Sequence, residues 1–323
     1  MTANTKDTFV IYNEQFITGY TETLVQETNL FNAASGGAIT LQKMSKLGDY
    51  SKETIFDLVS NITSRRDISN LSAINDKDLA TSEIVDVKLN RKHGPVKKTL
   101  DALKKIGKDP AEFSFILGTQ IAKAQIVDQV NIILAALVAA LSGVASLIYD
   151  GSAGTMTHSK LAYGKGKMGD QAPRIRLWVF HSKVATDLEV VSITDKITNV
   201  ADGLINFGRL AANGLPYLVI DSSSLLISAT PQQYCTLGLV TGAARVIESE
   251  DPTMVLDGPL TGFENLVYRL QGESAYNIGV KGFTWDTATG GVNPLDAAVA
   301  TQANWDQAVT SYKDCAGVYI KTT

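Results

Sequence analysis

Between Asp128 and Asp150 the chain carries no charge, and Ile132 to Tyr149 is mostly Ala, Leu, Ile and Val. A stretch like this must be enclosed, either by protein or by lipid. The residues upstream turn it into a long helix. Asp109 can cap it, Pro110 fits the first helical position, and Glu112 sits three residues after the cap. Both carboxylates complement the helix dipole. Phe113, Leu117, Ile121, Ala124, Val127, Val130, Leu134, Leu137 and Leu141 follow in steps of three and four, which predicts one apolar face. From Pro110 to Leu141 the helix spans about 48 Å, and Ser142-Gly143 is the expected break. The apolar run is borderline for a membrane span of about 20 residues. Its boundary charges are acidic and no Lys or Arg anchors either end, so a buried Ala-rich core helix is expected, with no membrane partner.

The region before this helix is charge-rich. Lys43 to Lys105 holds Lys46, Asp49, Lys52, Glu53, Asp57, Arg65, Arg66, Asp67, Asp76, Lys77 and Asp78. Within it Ile84 to Asn90 alternates strictly, Val85, Val87 and Leu89 against Asp86, Lys88 and Asn90, the period of a strand with one wet face. Lys52 to Thr63 can be its partner strand, although a helical reading stays open, with Ser64 to Ser82 as the tip. A two-stranded excursion is marginal alone in water, so such a ribbon must lie on its own body or on a neighbour.

Elsewhere, Met1 to about Tyr20 reads as an extended arm and Thr21 to Ala34 as a short helix ended by Gly36-Gly37. Gly151 to Gln171 is Gly-rich and flexible in character. Arg174 to Phe180 is strand-like and His181 to Val190 suits a helix. Leu215 to Asp221, Thr236 to Glu248, Leu266 to Gln271 and Tyr276 to Thr284 read as strands. Pro294 to Val299 and Asn304 to Val309 read as helical turns, and Val318 to Lys321 as a closing strand. Strands and helices mix without regular alternation, so the fold class is α+β, in about two domains.

Candidate chemistry is sparse. Lys plus Arg is 29 and Asp plus Glu 33, a net charge of −4, unlike a free-standing DNA-binding domain. Cys235 and Cys315 make no disulfide framework and suit a reducing cytoplasm, and His93, His158 and His181 are scattered, so no metal or cofactor site is expected. Gly164-Lys165-Gly166-Lys167 lacks the spacing and hydroxyl of a phosphate loop. His181-Ser182 with Asp187 has no nucleophile elbow around it. Glu248, Glu250 and Asp251 read as a solvated loop before Pro252. No catalytic residue is expected, and the chain does not read as an enzyme. Lys88, Arg91, Lys92, His93, Lys97 and Lys98 form a basic run that could touch phosphate or make ion pairs, in its own chain or the next. Trp285 and Trp305 read as anchors of core or interface. Free arm, charged ribbon, long helix, glycine hinge and compact body together indicate an assembling subunit.

Three passages resemble the major capsid proteins of tailed double-stranded DNA bacteriophages. The first runs from Ser64-Arg65-Arg66-Asp67 through Val87-Lys88-Leu89-Asn90-Arg91-Lys92-His93-Gly94-Pro95-Val96 into the long helix. The second is Leu177-Trp178-Val179-Phe180-His181-Ser182-Lys183-Val184 with Asn213-Gly214-Leu215-Pro216 to Asp221. The third is Gly279-Val280-Lys281-Gly282-Phe283-Thr284-Trp285-Asp286 to Asn293-Pro294 and Asn304-Trp305-Asp306. The resemblance implies the α+β capsid fold of the Hong Kong ninety-seven type. It places an N-terminal arm and short helix at 1–42, an extended loop at 43–96, a peripheral domain with spine helix at 97–172 and an axial domain with a C-terminal return at 173–323. It implies hexamers and pentamers closing an icosahedral shell around DNA, in the virion, after assembly in the host cytoplasm. A portal protein is implied as a partner. The few residues before Thr21 imply a separate scaffolding protein. The assembly contacts it implies are Arg65, Arg66, Asp67, Lys88, Arg91, Lys92, Trp285 and Trp305. A cellular nanocompartment shell, closing on a cargo enzyme, is the alternative on the same fold.

Overall fold

A computed structural model describes residues 5–323 except 47, 57, 58, 60, 61, 64, 67, 71, 74, 75, 100–109, 195–205, 210–214 and 263. Asp67, the cap Asp109, and Asn213-Gly214 lie outside the described residues. Helix α1 (Thr5–Ala34) leads into strands β1 (Ile39–Lys43), β2 (Tyr50–Phe56) and β3 (Thr81–Thr99), then into α2 (Pro110–Ser142). Next come β4 (Ile148–Asp150), α3 (His158–Gly166), β5 (Ile175–Phe180) and α4 (Ser182–Thr194). Strands β6 (Asn206–Arg209), β7 (Pro216–Val219), β8 (Leu226–Ala229), β9 (Gln232–Val240), β10 (Ala244–Leu260) and β11 (Val267–Val280) follow. After them stand β12 (Phe283–Trp285), α5 (Asp296–Val299), β13 (Trp305–Gln307) and β14 (Gly317–Thr322).

Two sheets dominate. One has the order β1-β10-β11-β3-β2, the other β4-β14-β9-β5-β7-β6 with β8 paired to β9; β12 and β13 form a separate pair. The second half of α2 is enclosed between the sheets. Ile133, Leu134, Leu137 and Leu141 share one buried cluster with Val87, Val246 and Tyr276 of the first sheet and Trp178, Leu237 and Val318 of the second. The apolar window of α2 is long enough to cross a membrane, yet 72% of it is buried inside the subunit.

In the first half of α2 only part of the face its apolar residues predict turns inward: Leu117 and Ile121 are half-buried against the contact with α1, and Val130 is buried. Ser114, Gly118, Ala122, Gln125 and Gln129 are buried, while Val127 is 57% exposed and Ala124 is exposed. The reason is α1. This segment is one continuous helix, not an extended arm followed by a short helix, and it packs along α2. A Cβ on Gly118 would stand 2.5 Å from the carbonyl oxygen of Phe16, and one on Gly19 would stand 2.8 Å from Phe115. The backbones therefore touch, which only glycine allows. Phe16, Tyr20 and Ala122 bury one another there with Leu270 of β11. The helicity of α1 comes from this packing rather than from its own weak periodicity.

Four further expectations change. The segment after Gly151 is structured, because the Lys160 ammonium on α3 donates to the carbonyls of Gly151, Gly154 and Thr155 at 2.7, 2.6 and 2.8 Å. Thr236 to Glu248 breaks into β9 and β10 at Gly242, whose φ of +66° suits glycine. The two strands expected around Gly272 join into the single β11, which stops at Val280. Asn304 to Val309 holds the end of a short 3-10 turn, Gln302–Asn304, and then β13 rather than helix.

Gly118→Val is expected to push α1 off α2 and to lower stability by about 1–3 kcal/mol, read as the urea midpoint. Limited proteolysis should then cut within α1 first.

Candidate functional site

The ribbon is built as the alternation of β3 predicts, with a different outcome for its wet face. β2 and β3 pair antiparallel from Tyr50↔Val87 to Phe56↔Thr81, so Lys52 to Phe56 is strand, while most of the rest of the expected strand to Thr63 lies outside the described residues. Val85, Val87 and Leu89 are buried, but so are Asp86, 1% exposed, and Lys88, 7% exposed. Ion pairs explain this. Arg245 of β10 binds Asp86 through Nε at 3.0 Å and Glu53 of β2 through Nη2 at 2.8 Å. β11 lies between β10 and β3. Arg245 reaches across it because its register partner is Gly279, where a Cβ would stand 2.2 Å from Asp86 Oδ1. Burial pushes the Asp86 carboxyl up, against the pull of Arg245, whereas the hydrogen bond and charge of Arg245 hold Glu53 down. Lys88 contacts Glu250, again from β3 to β10.

On the α2 side of the same sheet, Arg91 gathers three elements. Its Nε lies 2.8 Å from the Tyr276 hydroxyl and 3.0 Å from Asp128 Oδ2 of α2, and its Nη1 lies 2.7 Å from Asp296 Oδ1 of α5. Tyr276 also donates to Asp128 at 2.7 Å. Nearby, Gln125 donates to Glu248 at 3.0 Å and accepts from the Tyr20 hydroxyl, so α1, α2 and β10 share one buried polar relay. Glu248 and Glu250 thus belong to a strand and to ion and hydrogen-bond networks, not to a solvated loop. A cleft of about 1080 Å³ opens beside these groups, lined by Lys92, His93, Ile121, Asp128, Thr253 and Glu273 among others. His93 Nε2 lies 2.8 Å from Ser274 Oγ, and burial pushes its imidazole below the usual range against a weaker opposite pull from Asp128.

The predicted contact residues therefore separate. Arg91 and Lys92 meet at the cleft, with Lys92 opposite Glu273. Lys88 lies on the other face of the sheet, under its own ion pair. Trp285 and Trp305 stand edge to face inside the subunit, 5.1 Å apart, their indole N–H groups donating to the Gly291 and Val299 carbonyls. Arg65 and Arg66 are exposed between β2 and β3. Around them Phe56, Ile62 and Leu79 are exposed, and Ile68 is 86% exposed. Nothing in the linear order marks Asp128, Tyr276, Asp296 or Arg245 as partners. The one available signal is Gly279, a glycine between Ile278 and Val280 near the end of a strand.

Other motifs resolve as structure. Ser182 opens α4 and its amide donates to Asp221 at 3.1 Å, Asp187 pairs with Lys183 at 2.6 Å, and His181 packs on Tyr234. Lys165 and Lys167 sit at the C-terminal end of α3, where the helix dipole favours cations and not phosphate. Among the described residues no group of three or more His, Cys, Asp or Glu could hold a metal.

A family model described as Gp13-like, major capsid protein 13-like, matches residues 8–319. A comparison with curated proteins finds no match. Among solved structures, the capsid asymmetric unit of cyanophage Pam1 superposes with a TM-score of 0.54 at 11% identity, over 86% of this chain and 85% of that one. The head structure of Helicobacter pylori bacteriophage KHP40 gives 0.54 at 8%, over 90% and 88%. A chain of Mycobacterium phage Bobi gives 0.52 at 11%, over 88% of each. At these identities the likeness shows the fold, an α+β capsid fold of the Hong Kong ninety-seven type.

The cleft histidine gives a pH dependence of known sign. Its folded-state pKa lies below the ordinary 6.5, so the unfolded chain takes up the proton first as pH falls. Stability from this group is whole above that value and declines below it, by at most about 1.4 kcal/mol per pH unit. His93→Gln, which can keep a bond to Ser274, is expected to flatten the fall of the urea midpoint between about pH 7 and pH 5.

Proposed function

The chain belongs to the Gp13-like family of major capsid proteins, and from that membership we propose that its subunits assemble as hexamers and pentamers into a closed icosahedral shell around double-stranded DNA. The observation that carries this reading is the ribbon between β2 and β3. It ends in exposed Phe56, Ile62, Ile68 and Leu79, apolar surface that its own subunit does not cover. Repeated, modest contacts between copies would cover it, and closed symmetry makes many such contacts cooperative.

Within that shell, residues 43–96 act as the extended loop. Residues 97–172 form the peripheral domain with α2 as its spine, and 173–323 form the axial domain and the return. The N-terminal part, 1–42, adds α1 to the spine. The five-stranded sheet supports this division with one amendment: β10 and β11 come back to complete the peripheral part. Arg65 and Arg66 are placed to meet a neighbouring copy, and Lys92 to meet one at the cleft. Lys88, Arg91, Trp285 and Trp305 serve assembly from inside, by fixing the surfaces that neighbours meet. A scaffolding protein, a portal and the packaged DNA are the remaining partners, with assembly in the host cytoplasm before the subunit becomes part of the virion. The role is structural rather than enzymatic. The family is one of phage capsid proteins, which favours this reading over the nanocompartment shell.

Arg65→Glu with Arg66→Glu is expected to leave the subunit's circular dichroism and melting unchanged while closed shells fail to form. Negative-stain images of the double variant, expressed with its scaffolding partner, check this. Normal yields of closed shells would remove the loop from the proposed contacts.

A further inference from the structure

Away from the ribbon, the turns at one end of the second sheet bring together cations from three separate stretches of chain. Lys313 Nζ pairs with Asp170 at 2.6 Å and stands 3.6 Å from where a Cβ on Gly169 would lie, two residues after the exposed Lys167. Arg174 Nη1 pairs with Asp314, the next residue after Lys313, at 2.9 Å. Burial pushes the Lys281 ammonium below the usual range, and the nearby Arg174 charge adds to this, against a weaker opposite pull from Asp314. Lys281 Nζ donates to the Thr241 carbonyl at 3.3 Å. Thr241 follows Val240, the register partner of Ile175, and Ile175 stands between Arg174 and the exposed Arg176. Five cations thus surround this end of the sheet with two carboxylates among them. Lys167, Arg176 and Lys281 have no ion-pair partner among the described residues. The excess is positive in a chain whose net charge is −4. Both carboxylates already hold a cation, so the anion that would balance the other three must come from outside the subunit.

We propose that this surface binds the phosphate backbone of double-stranded DNA without sequence preference, and that it is the part of the subunit turned toward the packaged genome. The inference rests on the reading of the chain as a shell around DNA, and goes beyond it by assigning the surface that faces the interior. A duplex carries one negative charge per about 1.7 Å of its axis, so it meets several of these side chains at once whatever its sequence. The helix end at Lys167 offers no amide cradle for phosphate, so the side chains alone supply the attraction. Three unpaired cations per copy make a weak contact, which the many copies of a closed shell multiply. None of the five belongs to the basic run of β3, whose Lys88 and Arg91 are taken up by ion pairs inside the subunit.

Fluorescence anisotropy of a short labelled duplex of arbitrary sequence, titrated with the folded, unassembled subunit between about 50 and 200 mM salt, tests it. Three free cations predict a slope of log affinity on log salt of about −2.7, at about −0.9 for each phosphate neutralised. Lys167→Gln with Arg176→Gln and Lys281→Gln is expected to bring that slope close to zero while circular dichroism and shell closure stay as in the wild type. Arg176→Gln alone, at an exposed side chain, is expected to flatten the slope by about one, and it carries the test where the triple variant does not fold. Arg65→Gln with Arg66→Gln is expected to bind DNA as the wild type does. No binding by the folded wild type at the lowest salt overturns the proposal, and so does an unchanged slope in Arg176→Gln. A triple variant that keeps wild-type DNA affinity but no longer closes shells with its scaffolding partner also overturns it, by placing a protein on this surface. Shell closure is scored separately by negative stain, so loss of the DNA contact and failure of the shell reading are told apart.

Discussion

The subunit depends on the enclosure of one helix. An amphipathic helix needs a single apolar wall, but the second half of α2 has no polar side to leave in water. From Ile132 to Leu137 every residue is buried, and Ala139 to Leu141 are buried as well. Cover is required all round, and the chain supplies it from both sheets, β10 and β11 of one and β14 of the other. Alanine at 135, 136, 139 and 140 keeps the helix slim enough for both to approach. The same uncharged stretch that passes a membrane test by length and composition is thus accounted for by protein.

The first half of α2 and the five-stranded sheet follow a different logic. There the contacts are Tyr20–Gln125–Glu248, Arg91–Asp128–Tyr276, Arg245–Asp86–Glu53 and Lys88–Glu250. Ion pairs with buried members add little net stability over apolar packing, but removing one partner is strongly destabilising. Their effect is on register. A slip of one residue in β3 would turn Val85, Val87 and Leu89 outward and strand Asp86 and Lys88 against α2. The two pairs that bridge from β3 to β10 over β11 therefore fix the direction in which the ribbon leaves the body. Gly279 is the residue that makes the first of these bridges possible.

What could be read from the sequence follows from these two regimes. Local patterns that bury apolar groups were legible: the start of α2 at Pro110 and its end at Ser142, the inward row Val85, Val87 and Leu89, the closing strand near Val318. Patterns that depend on a distant partner were not. The helicity of α1 rests on Gly118, a hundred residues away in the chain and unremarkable in composition. Of the stripe Leu117, Ile121, Ala124, Val127 only the first two pack inward, because nothing local says that α1 takes the small side of the helix. Asp86 and Lys88 looked solvated because their counter-charges, Arg245 and Glu250, are contributed by a strand far along the chain. Composition also left Trp285 and Trp305 open between core and interface, and the structure places both within the subunit.

These regimes bear on assembly in opposite ways. A ribbon stabilised by its own apolar core would bury Phe56 and Ile68 and end as a closed surface. Here the base is held by its inward row Val85, Val87 and Leu89 together with the ion pairs, and Phe56, Ile62, Ile68 and Leu79 beyond it are left exposed. Such a ribbon holds its direction without using up its adhesive surface. That combination favours a heterologous contact, in which the tip of one copy meets a different surface of the next, over a self-complementary one. Heterologous contacts close into rings only when the angle between successive copies is held, and the angle is set where the ribbon leaves the sheet. In the proposed shell, Arg245, Gly279 and Asp86, none of them at the tip, would set whether copies close into rings or run on as open polymers.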